Sequence, residues 1–189
     1  MSFIVESKRR KTESLVTGYP NAAIIDVTSK ADLPWRKFSP FYPHNDIPVP
    51  FSGIAVGASV EGIWQGLKVF EREDIDRDTI TNTTMKNIKR STRSHGTILG
   101  HRAGIDGRQL LSYRDARYQI YLPSYKWVLD HHLQAEISLL APLVEMQPVV
   151  LLDYETNADI DNLRRPLSHA ALIVKYLTNS WPQQPERRF

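Results

Sequence analysis

The stretch Tyr121–Asp153, YLPSYKWVLDHHLQAEISLLAPLVEMQPVVLLD, changes its hydrophobic period part-way, and that change decides the fold class. Between Tyr121 and Ala141, the residues Tyr125, Val128, Leu129, Leu133, Ile137 and Leu140 recur at three- and four-residue spacing, which is one face of a helix. Pro123 suits the first turn of such a helix. Pro142 is expected to end it, because proline has no N–H to donate and its ring crowds the preceding turn. Beyond it, Val149-Val150-Leu151-Leu152 is a short unbroken apolar run that reads as a buried strand ending at Asp153. Helix and strand side by side predict an α+β protein, mainly helical, with a small sheet.

Outward from this stretch the same reasoning places the other elements. Ala22-Ala23-Ile24-Ile25-Asp26-Val27 reads as a second buried strand. Ser59 to Phe70 reads as a helix, with Ser59 as cap and Val60, Ile63, Trp64, Leu67 and Val69-Phe70 as its apolar side. Pro166 is expected to start a last helix carrying Ala170, Leu172, Ile173, Tyr176 and Leu177. Between Leu33 and Gly57 five prolines exclude a helix interior, yet five large aromatics argue for an ordered, extended segment folded onto the core. Residues 76–109 are polar and glycine-punctuated, and read as a long functional loop or as short helices within one. The resulting organisation is one domain over 19–180, a basic lead-in over 1–18 that is mobile or a surface helix, and a loose tail over 181–189.

Composition narrows the function classes. The chain has 189 residues and no cysteine, which excludes disulfides, thiolate catalysis and cysteine-based zinc sites and suits the cytoplasm. Lys8-Arg9-Arg10-Lys11 is followed by no apolar run of signal-peptide length, and nowhere do about 18 apolar residues run together, so neither a secretion signal nor a membrane span is expected. A net charge of +3 admits an anionic ligand without indicating nucleic acid. Neither a P-loop nor a Gly-x-Ser-x-Gly elbow is present. His95, His101 and the pair His131-His132 lack a second ligand pair at helical or hairpin spacing, so no metal is expected.

Several residues could carry chemistry. Glu61 and Gln65 are four apart on the expected helix and share a face, with Lys68 a turn further on. Glu61 is a candidate carboxylate; the competing reading is a first-turn acid favoured by the helix dipole. Lys68 could meet a phosphate or simply stand in water. Phe41, Tyr42 and Trp64 could stack on a base or fill the core. Asp153 ends a buried strand, where acids that face ligands are common, and Asp159 follows it; both also suit turns. Lys86, Lys89, Arg90, Arg93, His95, His101 and Arg102 form a basic segment that could bind phosphates or face solvent.

Phe38-Ser39-Pro40-Phe41-Tyr42-Pro43, followed by Ser59-Val60-Glu61-Gly62-Ile63-Trp64-Gln65-Gly66-Leu67-Lys68-Val69-Phe70, resembles the signature of the NADAR/YbiA family. Lys126 to Leu133 is similar to a later helix of that family, with Asp130 where the family has asparagine, and Asp153 and Asp159 could stand for its acidic pair. After Asp159 the family's Trp-Gly is replaced by Asn162-Leu163. The resemblance implies a YbiA-like fold and hydrolysis of an N-glycosidic bond in an ADP-ribosylated guanine or related ribosyl nucleotide, free or in DNA. It implies catalysis by Glu61, assisted by Asp153 or Asp159. Lys68 and Arg102 would then meet phosphate, with Gln65 beside them, while Trp64, Tyr42 or Tyr113 would hold the base. That scheme needs no metal or organic cofactor. The alternative is a non-catalytic protein that binds ADP-ribose, a nucleotide or nucleic acid. Oligomeric state is not legible.

Overall fold

A run with no polar side chain has no face to offer water. In the computed structural model, which describes residues 2–185, the apolar run Val149–Leu152 and the Asp153 that ends it are buried and form the central strand of a parallel sheet. In chain order the elements are β1 (Phe3–Ser7), α1 (Thr12–Gly18), β2 (Ala23–Asp26), a 3₁₀ turn (Trp35–Phe38), β3 (Ile47–Pro48) and β4 (Val56–Gly57). Next come α2 (Val60–Gly66), β5 (Lys68–Phe70), α3 (Arg77–Ile80), α4 (Thr92–His95), β6 (Ile98–Arg102) and β7 (Leu110–Leu111). The rest are α5 (Tyr113–Ala116), a π-helical turn (Arg117–Tyr121), α6 (Leu122–His131), α7 (Gln134–Met146), β8 (Val149–Asp153) and α8 (His169–Leu177). The protein is α+β. Its contacts group into two compact units, residues 2–39 with 131–182, and residues 40–130 with the described end of the chain from 183. In sequence, the second is inserted into the first. Among the described residues no helix is long and apolar enough to cross a membrane.

The first unit is built on the sheet β1-β8-β2, with β8 parallel to both neighbours. Val149 lies opposite Phe3 on one side and Ala23 on the other. Alternate residues of β8 point the same way, and Val150 and Leu152 meet Leu15 of α1, with Ile4, Tyr19, Ala22 and Ile24 packed around them. α8 lies against β8 and β1 and buries Ala170, Leu172 and Ile173. Its cap is Ser168, whose Oγ accepts from the Ala171 N–H, so the helix starts at His169, three residues after Pro166. The expectation for residues 1–18 needs correcting: Phe3–Ser7 is a sheet strand, and the basic tract after it leads into α1. Lys8 pairs with Asp26 at 2.8 Å. At the other end, residues 181–185 hold no regular structure, and the remainder of the expected tail, 186–189, lies outside the described residues.

In the second unit α2 is shorter than its apolar pattern predicts. Ser59 caps it through the Gly62 N–H at 3.0 Å, as expected, but the helix stops at Gly66 and Lys68–Phe70 turns into a strand pairing with β6. Two glycines explain the neighbour it carries. Gly62 and Gly66 are four apart and face α3, where a Cβ on Gly66 would stand 2.4 Å from Ile80 Cγ1 and 2.7 Å from the Asp76 carbonyl oxygen. Backbone is one of the atoms met, so the overlap is not relieved by a rotamer change. Gly66→Ala is expected to cost about 1–3 kcal/mol, read as a lower midpoint in urea unfolding; an unchanged midpoint would mean that α3 yields freely.

The long helix expected over 121–141 is also interrupted. A π-helical turn precedes α6, the chain breaks at His132-Leu133, and α7 restarts at Gln134. The buried positions Tyr125, Val128, Leu129, Leu133 and Leu140 keep one spacing across the break, which is why it is invisible in the pattern. Pro142 lies inside α7. The carbonyl it deprives of a partner belongs to Ser138, an exposed residue, where water can replace the missing donor. The proline-rich segment is ordered as expected, with Phe38 and Ile47 fully buried, although Phe51 is exposed. Residues 76–109 carry the short helices α3 and α4 and, in addition, strand β6.

Candidate functional site

The second unit brings the Glu61 motif together as a hydrogen-bonded chain. Helical spacing puts Gln65 one turn after Glu61, and its Nε2 donates to Glu61 Oε1 at 2.7 Å. The Gln65 Oε1 in turn accepts from Lys68 Nζ at 2.8 Å and from the Arg90 backbone N–H at 3.3 Å. Glu61 and Gln65 are buried, and the second oxygen of Glu61 makes no hydrogen bond to any described residue. The Glu61 N–H donates to the Pro40 carbonyl at 2.8 Å, which ties the start of Pro40-Phe41-Tyr42-Pro43 to the head of α2. Burial pushes the Lys68 ammonium below its ordinary value; the Glu61 carboxylate works against this, while Arg90 and Lys89 add to it.

Arg90 locks the geometry and was not separable from its neighbours in the sequence. Its Nη1 donates to the carbonyls of Lys68 at 2.7 Å and Gln65 at 3.3 Å, and its Nη2 to that of Asp74 at 2.6 Å. The guanidinium also lies over the Phe70 ring. It therefore fastens the carbonyls where α2 gives way to β5. Lys86, Lys89 and Arg93, read with it as one basic segment, are exposed.

Beside this chain stands an aromatic group. Trp64, one turn from Glu61, contacts His101 with ring centroids 3.9 Å apart, Tyr113 at 5.7 Å and Tyr121 at 5.6 Å. His101 lies directly opposite Lys68 in the β5–β6 pairing, so the two side chains leave the same face of that sheet. Two of the expected binding residues have other partners in the structure. Arg102 is the next residue along β6 and points to the opposite face, where both its contacts to the Asp74 carboxylate (2.8 and 2.6 Å) occupy it. Tyr42 pairs with His44, at 4.9 Å, rather than with Trp64. His95, also read as basic, contacts Glu73 and the Phe70 ring.

Asp153 and Asp159 belong to the other unit. Asp153 is buried at the carboxyl end of β8. Its Oδ2 accepts from Ser168 Oγ at 2.8 Å and from the Ala170 N–H at 3.4 Å and meets His169 Nδ1 at 2.9 Å, while Oδ1 accepts from the Tyr154 N–H. His169 Nε2 donates to the Val27 carbonyl at 2.8 Å. Burial alone would raise the Asp153 carboxyl, but the charge and hydrogen bond of His169, with Ser168 and Ala170, hold it at about 2. Burial opposes a charged His169, and Asp153 together with the Val27 carbonyl overcomes it, raising the imidazole above its ordinary value. The pair anchors the start of α8 to the centre of the sheet. Asp159 is exposed and accepts the Asp161 N–H in a turn.

A family model described as a family of unknown function, DUF6939, matches residues 7–173. The chain belongs to the DUF6939 family. No curated protein and no solved structure matches it. The DUF6939 match runs from the last residue of β1 into α8, so it takes in both the Glu61 chain and the Asp153–His169 pair.

Proposed function

We propose that the protein is a cytoplasmic N-glycosidase that hydrolyses the C1′–N bond of an ADP-ribosylated guanine or a related ribosyl nucleotide. The observation that carries this reading is the hydrogen-bonded chain from the buried Glu61 and Gln65 to the half-buried Lys68, beside Trp64. Breaking a C1′–N bond passes through an oxocarbenium-like state. A carboxylate held at one oxygen by Gln65, with the other not bonded to a described residue, supports two tasks: stabilising that positive charge and taking the proton of the attacking water. The base leaves with the C1′–N electron pair and gains a proton, and the water oxygen joins C1′. Lys68 supplies a cation for a phosphate of the same ligand, and Trp64 and Tyr113 supply flat surfaces for a base.

The test is incubation of wild type and Glu61→Ala with ADP-ribosylated DNA, ADP-ribosyl-guanosine and NAD, followed by mass spectrometry of the released base. Release by wild type alone is the expected result. Binding without release by either protein would replace this reading with that of a non-catalytic binder.

A further inference from the structure

Buried polar atoms in folded proteins are nearly always hydrogen-bonded, and each exception calls for a reason. His101 is such an exception. Its side chain is fully buried, and neither ring nitrogen has a hydrogen-bond partner among the described residues. A phenylalanine there would keep the contact with Trp64 without the desolvation of two nitrogens, so packing does not explain the imidazole. Burial, with the Lys68 ammonium opposite, lowers the His101 imidazole to about 3, so the ring is neutral at physiological pH and offers one N–H donor and one acceptor.

We propose that His101 is a catalytic residue that donates its ring N–H to a nitrogen of the departing base, and that the unpartnered imidazole against Trp64 is kept for that bond. This rests on the glycosidase reading and deepens it. As the C1′–N bond breaks, its electron pair moves onto the base, and a neutral N–H donor in a water-excluded place stabilises that developing negative charge without giving up the proton. Lys68, opposite His101 and hydrogen-bonded to the Glu61 partner Gln65, places the donor and the carboxylate chain on connected backbone. The base reaches His101 alongside the Tyr113 ring, which flanks it. Tyr113 is 38% exposed, stands 5.7 Å from Trp64 and 6.4 Å from His101, and starts the four-residue helix α5.

The chemistry sets the substrate dependence. A guanine leaving group accumulates negative charge and needs the donor. Nicotinamide leaves NAD from a ring already cationic and emerges neutral, so it needs no such donor. His101→Phe is therefore expected to melt at or above the wild-type temperature and to lose about a hundredfold in kcat/KM on ADP-ribosyl-guanosine, with a much smaller loss on NAD. A second readout requires no turnover. In Glu61→Gln protein labelled with 15N-histidine, adding ADP-ribosyl-guanosine is expected to shift the His101 ring nitrogens. If wild type releases guanine, His101→Phe does so equally well and no ring shift occurs, the inference is overturned while the glycosidase reading stands. If wild type releases nothing yet the His101 nitrogens shift, the base contact stands and the reaction assigned to it does not. With neither release nor shift, both fall.

Discussion

Glu61→Gln is expected to lower single-turnover base release about a thousandfold while leaving ligand affinity within a fewfold. Glutamine is nearly isosteric, and its amide oxygen can still accept from Gln65 Nε2, so the 2.7 Å link at the head of the chain survives. What disappears is the charge that faces an oxocarbenium-like centre and the basicity that accepts a proton from water. Removal of a group acting only in the transition state lowers kcat without raising KM. Lys68→Met should do the reverse, weakening the hold on a phosphate and raising KM. Rapid-quench kinetics separate the two; more than a tenth of the wild-type rate in Glu61→Gln would remove the carboxylate from the chemistry.

Asp153→Asn is expected to destabilise the first unit by about 3–5 kcal/mol, because it leaves a buried histidine without its anion. The amide's NH2 then faces a backbone donor in either orientation, the Ala170 N–H where Oδ2 was or the Tyr154 N–H where Oδ1 was. Guanidinium unfolding reads this directly, and a loss under 1 kcal/mol would mean that the site relaxes around neutral partners. The wild-type pH profile tests the same pair. Asp153 titrates at about 2 in the folded chain against an ordinary 3.8, so its contribution is complete above pH 4 and disappears as the pH falls toward 2. That amounts to about 2 kcal/mol. His169 has the opposite sign: its folded value is raised, so its contribution is complete below its ordinary 6.5 and is lost as the pH rises through the folded value. In Asp153→Asn the acid limb should flatten.

Legibility in the sequence followed the balance between local pattern and distant pairing. β2, β8 and α8 were readable because each carries an apolar run or spacing that fits one element only. The Glu61–Gln65 contact was readable because helical geometry alone makes it. β1 was hidden: Phe3-Ile4-Val5 is short, and the Lys8–Lys11 charges after it dominate the composition. The end of α2 was hidden because Val69-Phe70 continues a helical face as well as it forms a strand, and the choice is made by pairing with β6 and by carbonyls held by Arg90. Arg90 and Lys89 are neighbours of like charge, one buried and one exposed, and nothing local distinguishes them. The fate of His101 and Arg102 depended on register: one residue's difference sends one ring against Trp64 and the other side chain to Asp74.

The order in which the strands are synthesised differs from the order in which they lie. β1 and β2 leave the ribosome early, yet neither bonds to the other; each takes its hydrogen bonds from β8, which is made more than a hundred residues after β2. Until that last strand emerges, the amino-terminal strands are two unpaired edges without a sheet, whereas residues 40–130 of the second unit have already been made. A nascent chain stalled before residue 149 therefore carries exposed strand-forming segments that a finished chain hides, and the central strand, arriving last, closes both edges in one step.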